Sequence, residues 1–282
     1  MPDSVPDVQH VSERITVATD VHLHVDHWAP EESSRGLIVI AHGIAEHITR
    51  YRHVAEQFVD AGWSVVGPDH RGHGRSSGEL GDLPDLRVAA SDLQQVVAWA
   101  DPADRPVVML GHSMGSLIAA LSVLEAPDRY AALVLSGTAL DAGSDVPAPI
   151  IAALKGMARL APRARLSPPL DVDGICSDPA VVRAYQEDPL VDQGRPRLGT
   201  ALGILRAAEA IHKRADRLTL PTLLLHGDDD PLTPISGAEW MAANVGTDDV
   251  ELRRYAGRHE IFNEPIGSEV VADVISWLTD RT

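Results

Sequence analysis

Residues 107–115 read VVMLGHSMG, and this stretch decides the fold. It opens with an apolar run of strand length, and residues 117–125 after it have the apolar spacing of a helix. Glycines on both sides of Ser113, at Gly111 and Gly115, let a strand turn sharply into a helix and hold the serine hydroxyl out at the turn. The stretch therefore predicts a nucleophilic serine at the carboxyl end of a buried strand.

Short apolar runs alternate with helix-length amphipathic segments on both sides of this turn. The predicted strands are residues 13–19, 21–28, 37–42, 64–68, 107–111, 133–136, 222–226 and 250–255. The predicted helices are residues 51–61, 91–99, 115–125, 237–245 and 268–279. The first two strands alternate apolar and polar residues like a hairpin with one wet face, whereas the later ones are apolar throughout, as in buried parallel strands. This order predicts an α/β fold with a mostly parallel, doubly wound sheet and its ligand site at the carboxyl ends of the strands.

One segment interrupts the alternation. No strand is predicted between residues 139 and 216, where the pattern favours two helices, near residues 149–160 and 198–214. We therefore predict a core of residues 1–139 and 217–282, and a helical cap of residues 140–216 inserted over the sheet.

A serine nucleophile needs a general base, and the base needs an acid to orient it. His259 follows the last predicted strand, where a loop can bring it back over the sheet. The preceding strand ends in Gly-Asp-Asp-Asp, so Asp228, Asp229 and Asp230 compete as the acid. Asp230 is farthest from the glycine and is favoured because it can reach across the strand ends, with Asp229 as the alternative.

The oxyanion of an acyl-transfer reaction needs two backbone N–H donors. One is expected from Met114, the residue after the nucleophile. The other is expected from the loop of residues 42–46 after the third strand, where Ile44 is best placed.

Six segments resemble the bacterial monoacylglycerol lipases of the α/β-hydrolase superfamily. They are HGIAEHITRY (42–51), PDHRGHGRSSG (68–78), GHSMGS (111–116), SDPAVVRAYQEDPLVDQG (177–194), LLLHGDDDPLTPISGAE (223–239) and HEIFNEP (259–265). The resemblance implies an α/β-hydrolase fold with a cap, and Asp230 as the acid, three residues after the strand's glycine. It also implies an oxyanion hole of Ile44 and Met114, and a glycerol end of the pocket shaped by Glu46 and Arg50. The family usually has glycine where Ala45 and Ser116 stand, and its loop before His259 is usually one residue longer.

The activity that the resemblance implies is hydrolysis of the acyl–glycerol bond of monoacylglycerols by Ser113, His259 and Asp230, with no cofactor. Another carboxylesterase or a lysophospholipase is the alternative. A peptidase is disfavoured because the sequence shows no anchor for a substrate's free amine. A non-catalytic receptor of the same fold is disfavoured because all three triad residues are present.

The composition excludes other classes. The 24 Lys and Arg against 41 Asp and Glu give a net charge of −17, which disfavours nucleic acid as a partner. The single cysteine, Cys176, allows neither an internal disulfide nor a cysteine zinc site. Residues 22–27 match a zinc-ligand string, H-x-H-x-D-H, but their apolar alternation is that of a strand, so we expect no metal. The first ten residues lack signal-peptide features and no apolar run approaches the roughly 20 residues of a membrane span, so a cytoplasmic location is expected.

The cap segment 146–170 contains no Asp or Glu. Its basic residues are Lys155, Arg159, Arg163 and Arg165, and its apolar residues at helical spacing are Ile150, Leu154 and Met157. Two interpretations stay open: a cap helix that packs on the core, or an apolar face with a basic rim that contacts a membrane surface transiently.

Overall fold

The computed structural model describes residues 9–31, 33–100, 105–141, 146–166 and 169–282. Residues 1–8, part of the segment from which no signal peptide is expected, lie outside the described residues, as do residues 142–145 and 167–168 of the predicted cap.

The described strands form one sheet. They are β1 (Gln9–Ala18), β2 (Val21–Ala29), β3 (Leu37–Ala41), β4 (Ser64–Pro68), β5 (Val107–His112), β6 (Ala132–Ser136), β7 (Thr222–Gly227) and β8 (Val250–Tyr255). Their order in the sheet is β1-β2-β4-β3-β5-β6-β7-β8. β2 pairs antiparallel with β1 and β4. The strands β3 to β8 are all parallel to one another. The predicted α/β class and mostly parallel sheet are therefore confirmed.

The described helices lie between the strands. They are α1 (Arg52–Asp60), α2 (Leu86–Ala100), α3 (Met114–Glu125), α4 (Ala148–Leu160), α5 (Pro179–Glu187), α6 (Leu198–His212), α7 (Ser236–Asn244) and α8 (Gly267–Thr279). Among the residues that the structure describes, no helix is both long and apolar enough to cross a membrane.

The central strands of the sheet are buried on both faces, which explains why they are apolar throughout. In β3, Leu37, Val39 and Ala41 pack into the core on one face, where α2 and α3 cover the sheet. Ile38 and Ile40 pack on the other face, which α1 and α8 cover. A strand with one wet face would alternate instead, as β1 and β2 do.

Two helices differ from the sequence prediction. α2 begins at Leu86, five residues before the predicted start, because Leu86, Ala89 and Ala90 continue its buried face. α5 was missed, although Asp178 caps it by accepting a hydrogen bond from the Ala180 N–H at 2.7 Å. An Asp-Pro pair at a helix start is a readable signal, since proline suits the first helical position.

The segment between β6 and β7 carries α4, α5 and α6, and its described residues include no strand. It also touches the loop after β8. The His259 and Glu260 N–H groups donate to the carbonyls of Gly174 and Ile175, at 3.4 and 2.7 Å. The cap boundaries 140–216 stay a prediction, while these contacts connect the segment to the carboxyl ends of the strands.

The apolar face of α4 is partly exposed. Ile150 is 50% exposed, Met157 41% and Leu160, at the end of the helix, 91%. Leu154, the third apolar residue of the predicted face, is half-buried, so the face is only partly exposed. Both interpretations of this segment stay predictions.

Three of the four residues of the predicted basic rim form ion pairs with acidic side chains, so the rim is partly neutralised and its contact with a membrane stays a prediction. The ion pairs are Lys155–Glu209 (3.2 Å), Arg163–Asp82 (3.0 Å) and Arg165–Asp192 (2.9 Å). The acidic partners lie elsewhere in the sequence. A segment that contains no Asp or Glu can therefore still have acidic side chains next to it in the structure.

Candidate active site

Ser113 stands in a strained turn between β5 and α3. Its backbone has φ 53° and ψ −121°, a region that side-chain-bearing residues rarely adopt. The flanking glycines are required by space: a Cβ on Gly111 would lie 2.4 Å from the Gly115 carbonyl oxygen, and one on Gly115 would lie 2.0 Å from that of Ala41. The turn is held by the Ser113 N–H, which donates to the Ser136 carbonyl of β6 at 2.9 Å.

Ser116, where the family usually has glycine, adds a bond to this turn. Its hydroxyl donates to the Ser113 carbonyl at 2.6 Å and accepts from the Ala139 N–H at 3.3 Å. The departure from the family pattern therefore ties the turn to the residues after β6.

His259 and Asp230 form a hydrogen-bonded pair. The His259 Nδ1 lies 2.8 Å from Asp230 Oδ2, and the Asp230 side chain is fully buried. A carboxylate only accepts, so Nδ1 carries the proton in this pair and Nε2 is left as an acceptor. Asp229 is exposed and so is Asp228, which pairs with Arg254 at 2.6 Å. The structure thus brings Asp230, and not its neighbours, to the histidine.

The Asp230 carboxylate is held ionised. Burial alone would raise its pKa, but the hydrogen bond and charge of His259 and the donors of Thr233 outweigh burial and lower the pKa. Oδ1 accepts from the backbone N–H groups of Leu232 (2.8 Å) and Thr233 (3.0 Å), and Oδ2 from the Thr233 hydroxyl at 2.7 Å.

Ser113 and His259 line one cavity of about 120 Å³. Apolar side chains of the segment between β6 and β7 line it too, among them Leu170, Ile175 and Ile204. Ile44 and Met114, the predicted oxyanion-hole residues, also line it. Met114 is the first residue of α3, so its N–H has no carbonyl four residues earlier in the helix to bond.

Ala45 follows Ile44 with φ 63°, a left-handed conformation that glycine adopts without strain. This explains why glycine is usual at the position. The loop is tied back at Gly43, whose N–H donates to Glu46 Oε1 at 2.6 Å.

Glu46 lines the cavity together with Glu260, which the sequence analysis missed. Arg50 lies between these two buried carboxylates. Its Nη1 donates to Glu46 Oε2 at 2.9 Å and to Glu260 Oε1 at 2.7 Å, and its Nη2 donates to Glu260 Oε2 at 2.7 Å. Arg50 itself lines a neighbouring cavity of about 430 Å³, and its guanidinium lies over the Tyr185 ring, 4.8 Å from the centroid.

The two carboxylates differ in their proton affinity. Burial raises the pKa of Glu46 to about 7, against the attraction of Arg50 and with the repulsion of Glu260. Burial also opposes ionisation of Glu260, but the two-pronged contact with Arg50 prevails and lowers its pKa. The signal for Glu260 in the sequence was its place directly after His259, in the segment HEIFNEP.

His112 lies against His259, with ring centroids 4.6 Å apart. Burial and the neighbouring His259 lower the pKa of His112 to about 3, so its ring is neutral. Gly137 makes room for the pair: at φ 53° a Cβ there would lie 3.0 Å from His259 Nδ1.

The string H-x-H-x-D-H falls on β2, as the alternation predicted. His22, His24 and Asp26 share one face, and His27 faces the other way because neighbouring strand residues alternate. Asp26 accepts hydrogen bonds from His10 and Thr49, each at 3.1 Å. Within the described ranges no group of three metal-ligating side chains forms.

This chain is similar to known proteins of one family. A family model described as "Serine aminopeptidase, S33" matches residues 32–266. The chain is 41% identical over 264 residues to the monoacylglycerol lipase of Mycolicibacterium smegmatis, covering 93% of this chain and 94% of that protein. The chain belongs to this family, among the monoacylglycerol lipases.

Other monoacylglycerol lipases extend the likeness. Human monoglyceride lipase is 28% identical, and the match covers 100% of this chain and 94% of that protein. The crystal structure of the Paleococcus ferrophilus monoacylglycerol lipase superposes with a TM-score of 0.84 at 28% identity, covering 92% of this chain and 99% of that one. The α/β-hydrolase fold implied by the sequence segments is thereby confirmed.

Proposed function

We propose that this protein hydrolyses monoacylglycerols to glycerol and a free fatty acid, with Ser113, His259 and Asp230 as its catalytic triad. The observation that carries the proposal is a single cavity that joins Ser113, on a strained turn, with a histidine already hydrogen-bonded to a buried carboxylate at 2.8 Å. A nucleophile, a base and an orienting acid in that order of contact are the parts that acyl transfer needs.

The reaction would run in two halves. His259 Nε2 accepts the proton of the Ser113 hydroxyl while Oγ attacks the ester carbonyl, and Asp230 stabilises the imidazolium. The N–H groups of Ile44 and Met114 bind the oxyanion, and each such donor is typically worth about 10²–10³ in kcat. His259 then gives its proton to the departing glycerol oxygen. Water, deprotonated by His259, attacks the acyl carbonyl, and His259 then returns the proton to Ser113 Oγ as the fatty acid leaves.

Glu46, Arg50 and Glu260 supply the polar part of the pocket and favour a glyceryl ester over a simple alkyl ester. Di- and triacylglycerols would press apolar chain against charged side chains and leave them unpaired, at a cost of ~1–3 kcal/mol for each lost partner. We therefore expect preference for monoacylglycerols. An aminopeptidase, named by the matched family description, is disfavoured because Arg50 repels the ammonium group that these carboxylates would otherwise attract.

The test is a substrate panel. Mono-, di- and triacylglycerols of one chain length are compared with a lysophospholipid, an arylester and an amino-acid arylamide, and the Ser113→Ala variant gives the blank. The highest kcat/KM is expected on the monoacylglycerol. Equal rates on mono- and triacylglycerols, or faster cleavage of the arylamide, would overturn the proposal.

We also propose that residues 140–216 act as a cap whose α4 face meets a lipid surface transiently. The exposed side chains of Ile150 (50%) and Leu160 (91%) support it. Because three of the predicted basic residues are paired within the protein, the contact would be apolar and only weakly dependent on anionic lipid.

The membrane proposal is tested with Ile150→Ser and Leu160→Ser together. They should slow hydrolysis of a long-chain monoacylglycerol in neutral vesicles and leave a soluble short-chain arylester almost unaffected. Adding anionic lipid should change vesicle binding of the wild type by no more than about 5-fold, since one basic side chain, that of Arg159, would contribute about 1 kcal/mol. Parallel losses on both substrates would show that α4 serves only the fold.

A further inference from the structure

The loop of residues 42–46, the oxyanion loop, contacts the stretch of residues 188–192 that directly follows α5, the docking segment. The Asp192 N–H donates a hydrogen bond to the Ala45 carbonyl at 3.2 Å. Ala45 is the residue with the left-handed backbone, and it directly follows Ile44, whose N–H is expected to bind the oxyanion. The docking segment therefore bonds the strained residue of the loop, one position from the expected donor.

A second contact lies at the end of the same loop. His47 is 3% exposed, and its Nε2 lies 2.9 Å from Asp188 Oδ2. The other oxygen of Asp188 accepts a hydrogen bond from the Leu190 N–H at 2.8 Å, which fixes the turn inside the docking segment. The oxyanion loop is thus held from the docking segment at two points.

The docking segment is itself held by Arg165, which lies a few residues after α4. Its Nη1 donates to Asp192 Oδ2 at 2.9 Å and to the Arg195 carbonyl at 2.7 Å, and its Nη2 donates to the Leu80 carbonyl at 3.2 Å. Asp192 Oδ1 accepts from the Gly194 N–H at 3.1 Å. Because both oxygens of Asp192 are bonded, its backbone N–H has a fixed position as well.

Two glycines leave room for this ion pair. A Cβ on Gly81 would lie 2.1 Å from Asp192 Oδ2, and a Cβ on Gly194 would lie 2.4 Å from Arg165 Nη1. The Asp192 side chain is only 7% exposed. The pair is therefore a closely packed contact between the docking segment and its neighbours, unlike an ion pair on an open surface.

The contact matters because Ala45 is held in a conformation that alanine avoids. In the left-handed region the Cβ crowds the following carbonyl oxygen, so alanine tends to leave this region. Strained backbone persists where surrounding contacts hold it. Glycine adopts the same conformation without this cost and would depend less on the contact.

We propose that Arg165 and Asp192 are positioning residues for the oxyanion hole. They hold Ala45 in its left-handed conformation and so keep the Ile44 N–H aligned with the oxyanion. Neither of them is among the described residues that line the catalytic cavity, so both act through the loop. This assignment rests on the proposed function, and adds to it that the oxyanion hole is complete only while the docking segment is in place.

The test measures kcat and KM on a soluble short-chain arylester for Asp192→Asn, which keeps the size of the side chain, and for Arg165→Met. Active enzyme is counted by the amount of Ser113 that a fluorophosphonate labels at completion, so misfolded protein does not enter kcat. Both halves of the reaction pass through an oxyanion, and one donor is worth about 10²–10³ in rate. A displaced donor loses part of this, so each variant should lower kcat by about 10-fold and change KM by less than about 2-fold.

Arg214→Met is the matched control. Arg214 belongs to the same segment between β6 and β7, and its side chain is 29% exposed, against 32% for Arg165. It pairs with Glu125 at 2.7 Å and donates to the Leu124 carbonyl at 3.1 Å, so it bonds α3 and not the docking segment. This variant should keep the wild-type kcat.

The Ala45→Gly background separates positioning from a general loss of structure. Glycine keeps the left-handed conformation without support, so the loss of kcat caused by Asp192→Asn should shrink from about 10-fold to about 3-fold or less. A loss that only reflects weaker packing of the docking segment would have the same size in both backgrounds.

The outcomes separate this assignment from the proposed function. An unchanged kcat in both variants, a rise in KM alone, or an equal loss in the Ala45→Gly background would overturn the positioning role and leave Ser113-dependent hydrolysis intact. A wild type that does not cleave the arylester, or a Ser113→Ala variant that still does, would overturn the proposed triad together with this assignment.

Discussion

Two groups of buried carboxylates, Asp230 against His259 and the pair Glu46 and Glu260 that lines the cavity, differ in what holds each carboxylate. Asp230 has donors of its own, two backbone N–H groups and the Thr233 hydroxyl, and its pKa is lowered. Glu46 and Glu260 share one guanidinium, and the pKa of Glu46 is raised to about 7. The hydrogen bond and charge of His259, together with these donors, hold Asp230 ionised, which suits an acid that must orient a base. The charge of a carboxylate that shares its cation depends on the charge of the other carboxylate, which suits the binding of a ligand.

The largest expected effect is the loss of kcat when Asp230 is neutralised. Asp230→Asn should lower kcat by about 10⁴, because an amide no longer holds His259 in the tautomer that accepts the serine proton. Asp229→Asn, one residue away and exposed, is the matched control and should stay close to the wild type. Steady-state kinetics on a soluble arylester decide it. An inactive Asp229 variant beside an active Asp230 variant would reverse the assignment.

Removing the shared cation should affect stability more than chemistry. Arg50→Met leaves two buried carboxylates next to each other, and breaking a buried pair in this way typically costs about 3–5 kcal/mol of unfolding free energy. Denaturant unfolding measures the loss. The double variant Arg50→Met with Glu260→Gln should recover part of it, since only one carboxylate then remains. No recovery would mean that the two carboxylates do not repel each other.

The raised pKa of Glu46 makes the free energy of unfolding depend on pH. The folded pKa of about 7 lies above the ordinary value of 4.5, so the folded state holds a proton that the unfolded state releases. Its contribution to stability is complete below pH 4.5 and is lost as the pH rises through 7. Between these values the wild type should lose up to about 1.4 kcal/mol per pH unit relative to Glu46→Gln. Asp230 works in the opposite direction, because its stabilisation is lost only as the pH falls below 3.8.

Equilibrium unfolding of the wild type and Glu46→Gln at several values between pH 5 and 8 measures this difference. A difference that stays constant with pH would show that Glu46 is ionised throughout, as Asp230 is.

The smallest effect is expected at Ala45, which lies between Ile44 and Glu46 in the loop after β3. Its left-handed backbone, at φ 63°, is costly for alanine and free for glycine. Ala45→Gly should therefore raise the thermal midpoint slightly, by an amount equivalent to about 0.5–1 kcal/mol, after the larger unfolded-state entropy of glycine is subtracted. Calorimetry measures the shift. A lower midpoint would mean that contacts of the alanine methyl outweigh the backbone strain.

The parts of the molecule that depend on near neighbours in the chain could be predicted from the sequence. The turn at Ser113 needs only two glycines between a strand and a helix, and the sheet follows from apolar runs of strand length. The choice of Asp230 over Asp229 followed from their distance past the glycine of β7. The structure pairs Asp230 with His259, although the catalytic roles stay a proposal.

The parts that depend on distant partners could not be predicted. Glu260 matters through Arg50, which lies 210 residues earlier in the chain. The ion pairs of Lys155, Arg163 and Arg165 likewise join residues 27–81 positions apart, so a count of charges within one segment overstated its positive character. The cap boundaries and the cytoplasmic location stay predictions.

Two backbone hydrogen bonds join Gly174 and Ile175 to the loop of His259, so two parts of the segment between β6 and β7 differ in how freely they can move. Moving residues 174–175 away from the sheet would break hydrogen bonds to the loop that holds His259, so we expect these residues to stay in place. α4, with its partly exposed apolar face, carries no such attachment to that loop within the described residues. A movement of α4 would therefore break neither of these two bonds and would leave the alignment of the base undisturbed.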